Sequence, residues 1–448
     1  MEEIDSGEGY IGWTEALQLI GTTITPNPAV VTNLEGAVGQ VASEDLTSKL
    51  SCPDHATSLK DGYAVVSDDI VEASSDRPVS LRCIGEAFAG VPFSGSIPSG
   101  SCVHITAGAY IPDGANAVCA GEFCSPLATA GTVSIRANAR PGRNILPVGG
   151  DVTRGELLVR RGERITAPHL AVLAAGGFTE VPVYRPSAVM IIAIGTEIAA
   201  LGDRLLPGQL YASNLAQCMG WLRQYGLPVR TRVVPDDGPA IQGVLAEALR
   251  SDIDFIITSG GAWGSLRDLV LANLGQIGWR QIFYRLRMGP GKGTAFGVAT
   301  RPMGEPLPSG CRPEVPVMCL PGGPPSNEMA FLQLALPAIM RQSGLCTRLF
   351  PEIRAVLTEP LQGRGRDWTQ FFRVSLASGP DGVLLATPST AVGVGSGSAP
   401  RRGQRLTEMA KSLALARLPE GVEFLDKGCA VTVQILSAQA LASPRGPA

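Results

Sequence analysis

Four short stretches carry most of the chemistry legible in this chain. Gly195-Thr196-Glu197, Pro235-Asp236-Asp237, Ser259-Gly260-Gly261 and Pro321-Gly322-Gly323-Pro324 each follow an apolar or strand-like run. Glycine lets a backbone approach a ligand closely, and amides at the opening of a helix attract anions. Glu197 closes the first stretch, and Asp268 follows the third. Carboxylates beside an anion site usually hold Mg²⁺, which then bridges phosphate oxygens. The stretches together read as a phosphate or oxyanion cradle made by Ser259, Gly260, Gly261, Pro321, Gly322 and Gly323. Glu197 and Asp268 are its expected metal ligands. One glycine pair after a strand is by itself more often a tight turn, and one acid more often a helix cap. Three glycine-rich strand ends, two of them with acids, favour a site. Trp263 reads as a stacking platform or pocket wall, and equally as core packing.

Other candidates stand alone. Lys292 in "GPGKG", residues 289–293, suits an anion, but the spacing is not that of a Walker A loop and no Ser or Thr follows it directly. Asp61 in "KDGYAV" and Asp151 in "GGDVTRG" each sit beside a turn glycine and, taken alone, read as turn residues. There is no Gly-x-Ser-x-Gly elbow. The three histidines, His55, His104 and His169, stand in unrelated contexts, which argues against a triad and against a histidine-rich metal site.

Elements of several domains must position these residues, since 448 residues imply about three domains. A formal charge of −3 gives no general attraction for nucleic acid or an anionic membrane. No run of 18 apolar residues suggests a membrane span, and the start lacks the basic region of a secretory signal. Ten cysteines at irregular spacings, with no Cys-x-x-Cys pair, fit reduced thiols in a cytoplasmic protein.

Residues 13–20, "WTEALQLI", predict a short helix, and residues 51–142 a small β-rich module. A helix over 167–175 should close at Gly176-Gly177. From 187 on, apolar strands alternate with amphipathic helices: "SAVMIIAI", "VRTRVV", "DFIITSGG" and "PVMCLPGG" are the strands. This pattern predicts an α/β domain with a doubly wound, mostly parallel sheet covered on both faces. Asn214 is the expected N-cap of the first helix and Gly226 its stop. Residues 345–440 turn β-rich again, and the tail from 441 should fray. The expected domains are 1–50 with 143–182 as a discontinuous linker, 51–142, 183–343 and 344–440. In a parallel sheet, ligand binds outside the carboxyl ends of the strands, where the four stretches lie.

The order of motifs resembles the molybdopterin molybdenumtransferase family, bacterial MoeA and the C-terminal half of gephyrin, over roughly residues 12–437. "SLKDGYAV" is similar to Ser-Ala-Met-Asp-Gly-Tyr-Ala, and "ITAGAYIPDGANAV" to Thr-Gly-Ala-x-x-Pro-x-Gly-Ala-Asp-Ala-Val. "GGDVTRGELLVRRGERIT" is similar to the Gly-Glu-Asp-Ile segment, and "IGTEI" to Gly-Asp-Glu-Leu. "TSGG" resembles Thr-Ser-Gly-Gly-Val-Ser-Val-Gly, "MGPGKGTAFG" Lys-Pro-Gly-Lys-Pro-x-x-Phe-Gly, and "LPGGPPSNEMAF" Leu-Pro-Gly-Asn-Pro-Val-Ser.

The resemblance implies insertion of molybdenum from molybdate into adenylylated molybdopterin, with release of AMP and use of Mg²⁺. It implies a homodimer of four-domain subunits, with a pterin adenylyltransferase and molybdoenzymes as further partners. Carried over, Glu197 and Asp268 would sit at the cation and phosphate, and Asp61 and Asp151 would face the same cleft. Lys292, Ser326 and Arg373 would approach the oxyanion. Several motif positions depart from the family. Thr196 replaces Asp, Gly150 replaces Glu, Ala107 replaces Thr, and Asn116 replaces Asp. Trp263-Gly264-Ser265 replaces Ser-Val-Gly, Gly289 replaces Lys, and Gly323 replaces Asn. These losses leave a second reading open, a paralogue that holds molybdopterin or finished cofactor as scaffold or carrier without turnover.

Overall fold

A computed structural model describes residues 9–128, 131–260, 269–304, 306–379, 382–389 and 406–441. The chain forms two compact units, one of residues 1–30, 39–43 and 183–448, the other of 31–38 and 44–182. The architecture is multidomain α/β, as the sequence pattern predicts, and no helix among the described residues is long and apolar enough to cross a membrane.

The larger unit holds a six-stranded sheet. Its elements run β1 (Val189–Ile194), α1 (Ser213–Gln224), β2 (Val229–Val234), α2 (Gly238–Arg250), β3 (Phe255–Ser259), α3 (Leu269–Gln276), β4 (Arg280–Tyr284), β5 (Ala295–Thr300), β6 (Glu314–Leu320) and α4 (Pro324–Ala330). Helix α4 continues through a π-helical turn, Phe331–Ala335, into α5 (Leu336–Gln342). The sheet order is β2-β1-β3-β6-β5-β4. The first four strands are parallel, while β5 and β4 pair antiparallel at one edge.

Strand β1 accounts for the two covered faces. All six of its residues are buried. Val189, Ile191 and Ala193 join one core with Leu215, Cys218 and Leu222 of α1. Met190, Ile192 and Ile194 join the other with Ile241, Leu245 and Ala248 of α2 and Val270 and Leu274 of α3. Each fully buried isoleucine contributes about 1.5–3 kcal/mol. A strand apolar at every position can satisfy both faces only inside such a sandwich. The chain leaves β1 toward β2 on one side and returns to β3 on the other. The switch point of the sheet therefore lies between β1 and β3, where open α/β sheets bind ligands.

The same unit carries a C-terminal sheet. Strands Thr369–Ser378, Leu384–Pro388, Glu352–Leu357, Ala430–Ile435 and Ala414–Leu418 pair in that order, and the last pairs back to the first. The five close a ring. Leu286–Gly289 adds to Thr369–Ser378, and Ile11–Gly12 adds in parallel to Leu286–Gly289. The smaller unit is built on a six-stranded sheet, ordered Ala117–Ala120, Gly62–Val65, Ser101–Ile105, Val79–Ala87, Thr132–Ile135 and Cys124–Pro126. Its helix Ala167–Ala175 ends as expected, with Gly177 at φ +82°.

Candidate active site

The carboxyl ends of β1, β2, β3 and β6 lie side by side, and contacts join each to the next. Between β2 and β1, the Thr196 N–H donates to Asp236 Oδ2 at 3.1 Å, and the Asp236 N–H donates to Thr196 Oγ1 at 3.3 Å. Between β1 and β3, the join is close backbone packing. Gly260 has φ +95°, and a Cβ there would stand 2.5 Å from the Ile194 carbonyl oxygen. Only glycine fits that position. Between β3 and β6, the Gly260 N–H donates to the Leu320 carbonyl at 3.2 Å, and a Cβ on Gly322 would stand 3.6 Å from Gly260 Cα.

Two asparagines brace these loops. Asn327, fully buried in α4, donates from Nδ2 to Ser259 Oγ at 2.9 Å and to the Pro321 carbonyl at 2.8 Å. Asn214 donates from Nδ2 to the Gly322 carbonyl at 2.8 Å. Asn214 is therefore not the N-cap that the sequence suggests. It is the second residue of α1, whose cap is Ala212, and its side chain turns to the β6 loop instead.

A cavity of about 710 Å³ opens at the ends of β1 and β2, lined by Thr196, Glu197, Asp236, Leu206, Gln209 and Leu269 among others. Glu197 is exposed at its wall. Asp237, next to the lining Asp236, instead caps α2, accepting from the Ala240 N–H at 2.9 Å. At the opposite end of the row, α4 opens at Gly323 with Pro324 and Pro325 in its first turn. Those prolines carry no N–H, so the helix opening offers an anion the amides of Gly322, Gly323 and Ser326. Ser326 is half-buried in that turn. Gly323, with φ −67° and open space where a Cβ would stand, has no conformational need to be glycine.

Lys292 lies half-buried in the turn between Leu286–Gly289 and β5, where its carbonyl accepts from the Leu286 N–H. Gly291 beside it packs on Ala330 of α4, so this turn and the cradle share one helix. Arg373 does not stand open to an oxyanion as the resemblance implies. Its side chain is nearly covered and ion-paired with Glu328 of α4, and its Nη1 donates to the carbonyls of Met409 at 2.9 Å and Ser412 at 2.6 Å. Burial pushes its guanidinium down to about 10, which leaves it charged at neutral pH. Its place is structural, joining the ring of strands to α4.

In the smaller unit, the exposed Asp61 accepts at Oδ1 from the Ala107 N–H at 2.8 Å, tying two loops together. Asp151 is exposed, and its N–H donates to the Cys52 carbonyl. Gly261, Trp263 and Asp268 lie outside the described residues. Among the described residues no three His, Cys, Asp or Glu side chains could hold a metal by themselves. Two carboxylates on one cavity suit Mg²⁺, which takes one or two protein acids together with water and phosphate oxygens.

Residues 11–177 match the family model "MoeA N-terminal region (domain I and II)", and residues 191–341 match "Probable molybdopterin binding domain". The chain is 31% identical over 321 residues to the molybdopterin molybdenumtransferase of Haemophilus influenzae, covering 71% of this chain and 74% of that one. It is 30% identical over 404 residues to molybdopterin molybdenumtransferase 2 of Mycobacterium tuberculosis, covering 89% and 93%. A crystal structure of a molybdopterin biosynthesis MoeA protein from Pyrococcus horikoshii superposes with a TM-score of 0.74 at 28% identity, covering 96% of this chain and all of that one.

Proposed function

This chain belongs to the molybdopterin molybdenumtransferase family, and from that membership we infer that it inserts molybdenum into adenylylated molybdopterin and releases AMP. The observation that carries the reading is the joined row of strand ends from Asp236 to Gly322, with its cavity at the β1 and β2 end. The amides at Gly322, Gly323 and Ser326 receive phosphate oxygens, and Gly260, whose N–H is held by the Leu320 carbonyl, lets the backbone come close to them. Glu197 and Asp236 would hold Mg²⁺ at the cavity, and Asp268 is the further acid that the reading assigns to the cation. When bound, the cation offsets phosphate charge. Molybdate is substrate and is steered by Lys292. Fixed donors aimed at the pyrophosphate oxygens make AMP a better leaving group, and such donors need no reorganisation during reaction. Asp61 and Asp151 belong to the same reading as further acids of the reaction.

The reading extends to assembly and bounds. We assign a homodimer, with a pterin adenylyltransferase and molybdoenzymes as further partners. The domains are 1–50 with 143–182, 51–142, 183–343 and 344–440. The test is AMP release from adenylylated molybdopterin by the purified chain. Release should depend on both molybdate and Mg²⁺ and stop with a chelator. Glu197→Gln should lower the rate on the order of 10²-fold, the scale of one aimed electrostatic contact. No AMP under any metal condition would end the proposal.

A further inference from the structure

The smaller unit gathers thiols on one sheet face. Cys83 and Cys102 are directly opposed on the adjacent parallel strands Val79–Ala87 and Ser101–Ile105, so both side chains leave the same face. Cys119 is opposed to Tyr63, Tyr63 to His104, and His104 to Glu86, which places a row of titratable groups across the same sheet.

The two opposed thiols differ in access. Cys102 is fully buried. Cys83 lines a cavity of about 280 Å³ with Tyr63, Glu86, His104 and Thr132. Burial, with Cys83 close by, pushes the Cys102 thiol up to about 12, so it keeps its proton, while the Cys83 thiol donates to the Gly85 carbonyl at 3.5 Å. Cys83 is the one thiol of the pair that a small molecule can reach from this cavity. His104 also lines this cavity, and its buried Nδ1 has no hydrogen-bond partner among the described residues.

We propose that Cys83 and Cys102 form a redox-active dithiol, oxidised to a disulfide by a small hydroperoxide that enters this cavity. Cys83 Sγ attacks one peroxide oxygen and the O–O bond breaks. Cys83 becomes a sulfenic acid, and the other oxygen leaves as water with the proton that Cys83 gave up. Cys102 Sγ then displaces the sulfenic hydroxyl, which leaves as a second water with the Cys102 proton. The two sulfurs lose two electrons in all, and the peroxide gains them. Neighbouring strands stand about 4.7–4.9 Å apart, inside the span that a disulfide bridges between Cα atoms. Cys119 and Cys124 lie close together as a second thiol pair, Cys124 Sγ donating to the Ala120 carbonyl at 3.4 Å and Cys119 Sγ to the Ala137 carbonyl at 3.7 Å, but neither lines the cavity.

The experiment treats the full chain with hydrogen peroxide, alkylates the remaining thiols and maps the peptides. The exposed Cys346 serves as internal reference for general oxidation. The expected result is a thiol-reversible Cys83–Cys102 bridge, formed at peroxide levels that leave Cys346 free to alkylate. Cys102→Ser should stall at a Cys83 sulfenic acid that a dione probe captures, and Cys119→Ser should keep the bridge. A wild-type chain with Cys83 and Cys102 still alkylated once Cys346 is oxidised would overturn the proposal. So would a bridge at Cys119–Cys124 in their place.

Discussion

Asn327 carries two of the hydrogen bonds that fix the spacing of the β3 and β6 loops. Asn327→Ala leaves Ser259 Oγ and the Pro321 carbonyl short of a donor in a buried place, which costs about 1–3 kcal/mol. Urea unfolding should register that loss, and the KM for the adenylylated pterin should rise further than a bare stability loss explains. Gly260→Ala places a methyl against the Ile194 carbonyl at a positive φ and should lower stability by more than about 1 kcal/mol. By contrast, Gly323→Asn should stay within about 0.5 kcal/mol, since its Cβ meets nothing within 4 Å. A thermal melt that drops as far for Gly323→Asn as for Gly260→Ala would contradict this reading. Glycines and Glu197 were legible in the sequence because backbone freedom and charge announce themselves locally. Asn214, Asn327 and the cavity role of Asp236 were not. An asparagine inside a helix normally reads as a weak helix former, and its use here depends on loops far along the chain.

The long helix from Pro324 to Gln342 shows how one element serves two neighbours. Pro337 has no N–H to return to Gln333, and the helix passes this point through the π turn Phe331–Ala335. That turn presents Gln333, whose Nε2 donates to Gln434 Oε1 of the closed ring at 2.8 Å. One turn from the cradle, Glu328 pairs with Arg373 of the same ring and accepts from Gln217 Nε2. Removing one member of a buried pair strands the other, so Arg373→Leu should cost about 3–5 kcal/mol. The double variant Arg373→Leu with Glu328→Leu should recover part of that loss in the same urea titration. Strands β1, β3 and β6 were readable as largely apolar runs and β2 as a β-branched run with arginines between, but β4 and β5 were not. β5 carries Gly297, where a Cβ would stand 2.4 Å from the Arg280 carbonyl oxygen and 2.5 Å from the Trp279 ring. A glycine demanded by a neighbour interrupts the strand signal.

At the scale of the molecule, the sequence gives class and order more readily than connection. Alternating strands and helices marked the α/β sheet, and clustered β signals marked the two β-rich regions. Closure of the C-terminal ring was hidden, because strand pairing between Thr369–Ser378 and Ala414–Leu418 is a tertiary choice. So was the docking of Ile11–Gly12 beside Leu286–Gly289. That docking sets a timetable at the ribosome. Ile11 pairs with Leu286, a partner 286 − 11 = 275 residues later. At about 5–20 residues per second, the opening segment waits on the order of tens of seconds for its neighbour to be made. Residues 44–182 emerge complete within that wait, while the first strand of the chain is still unpaired.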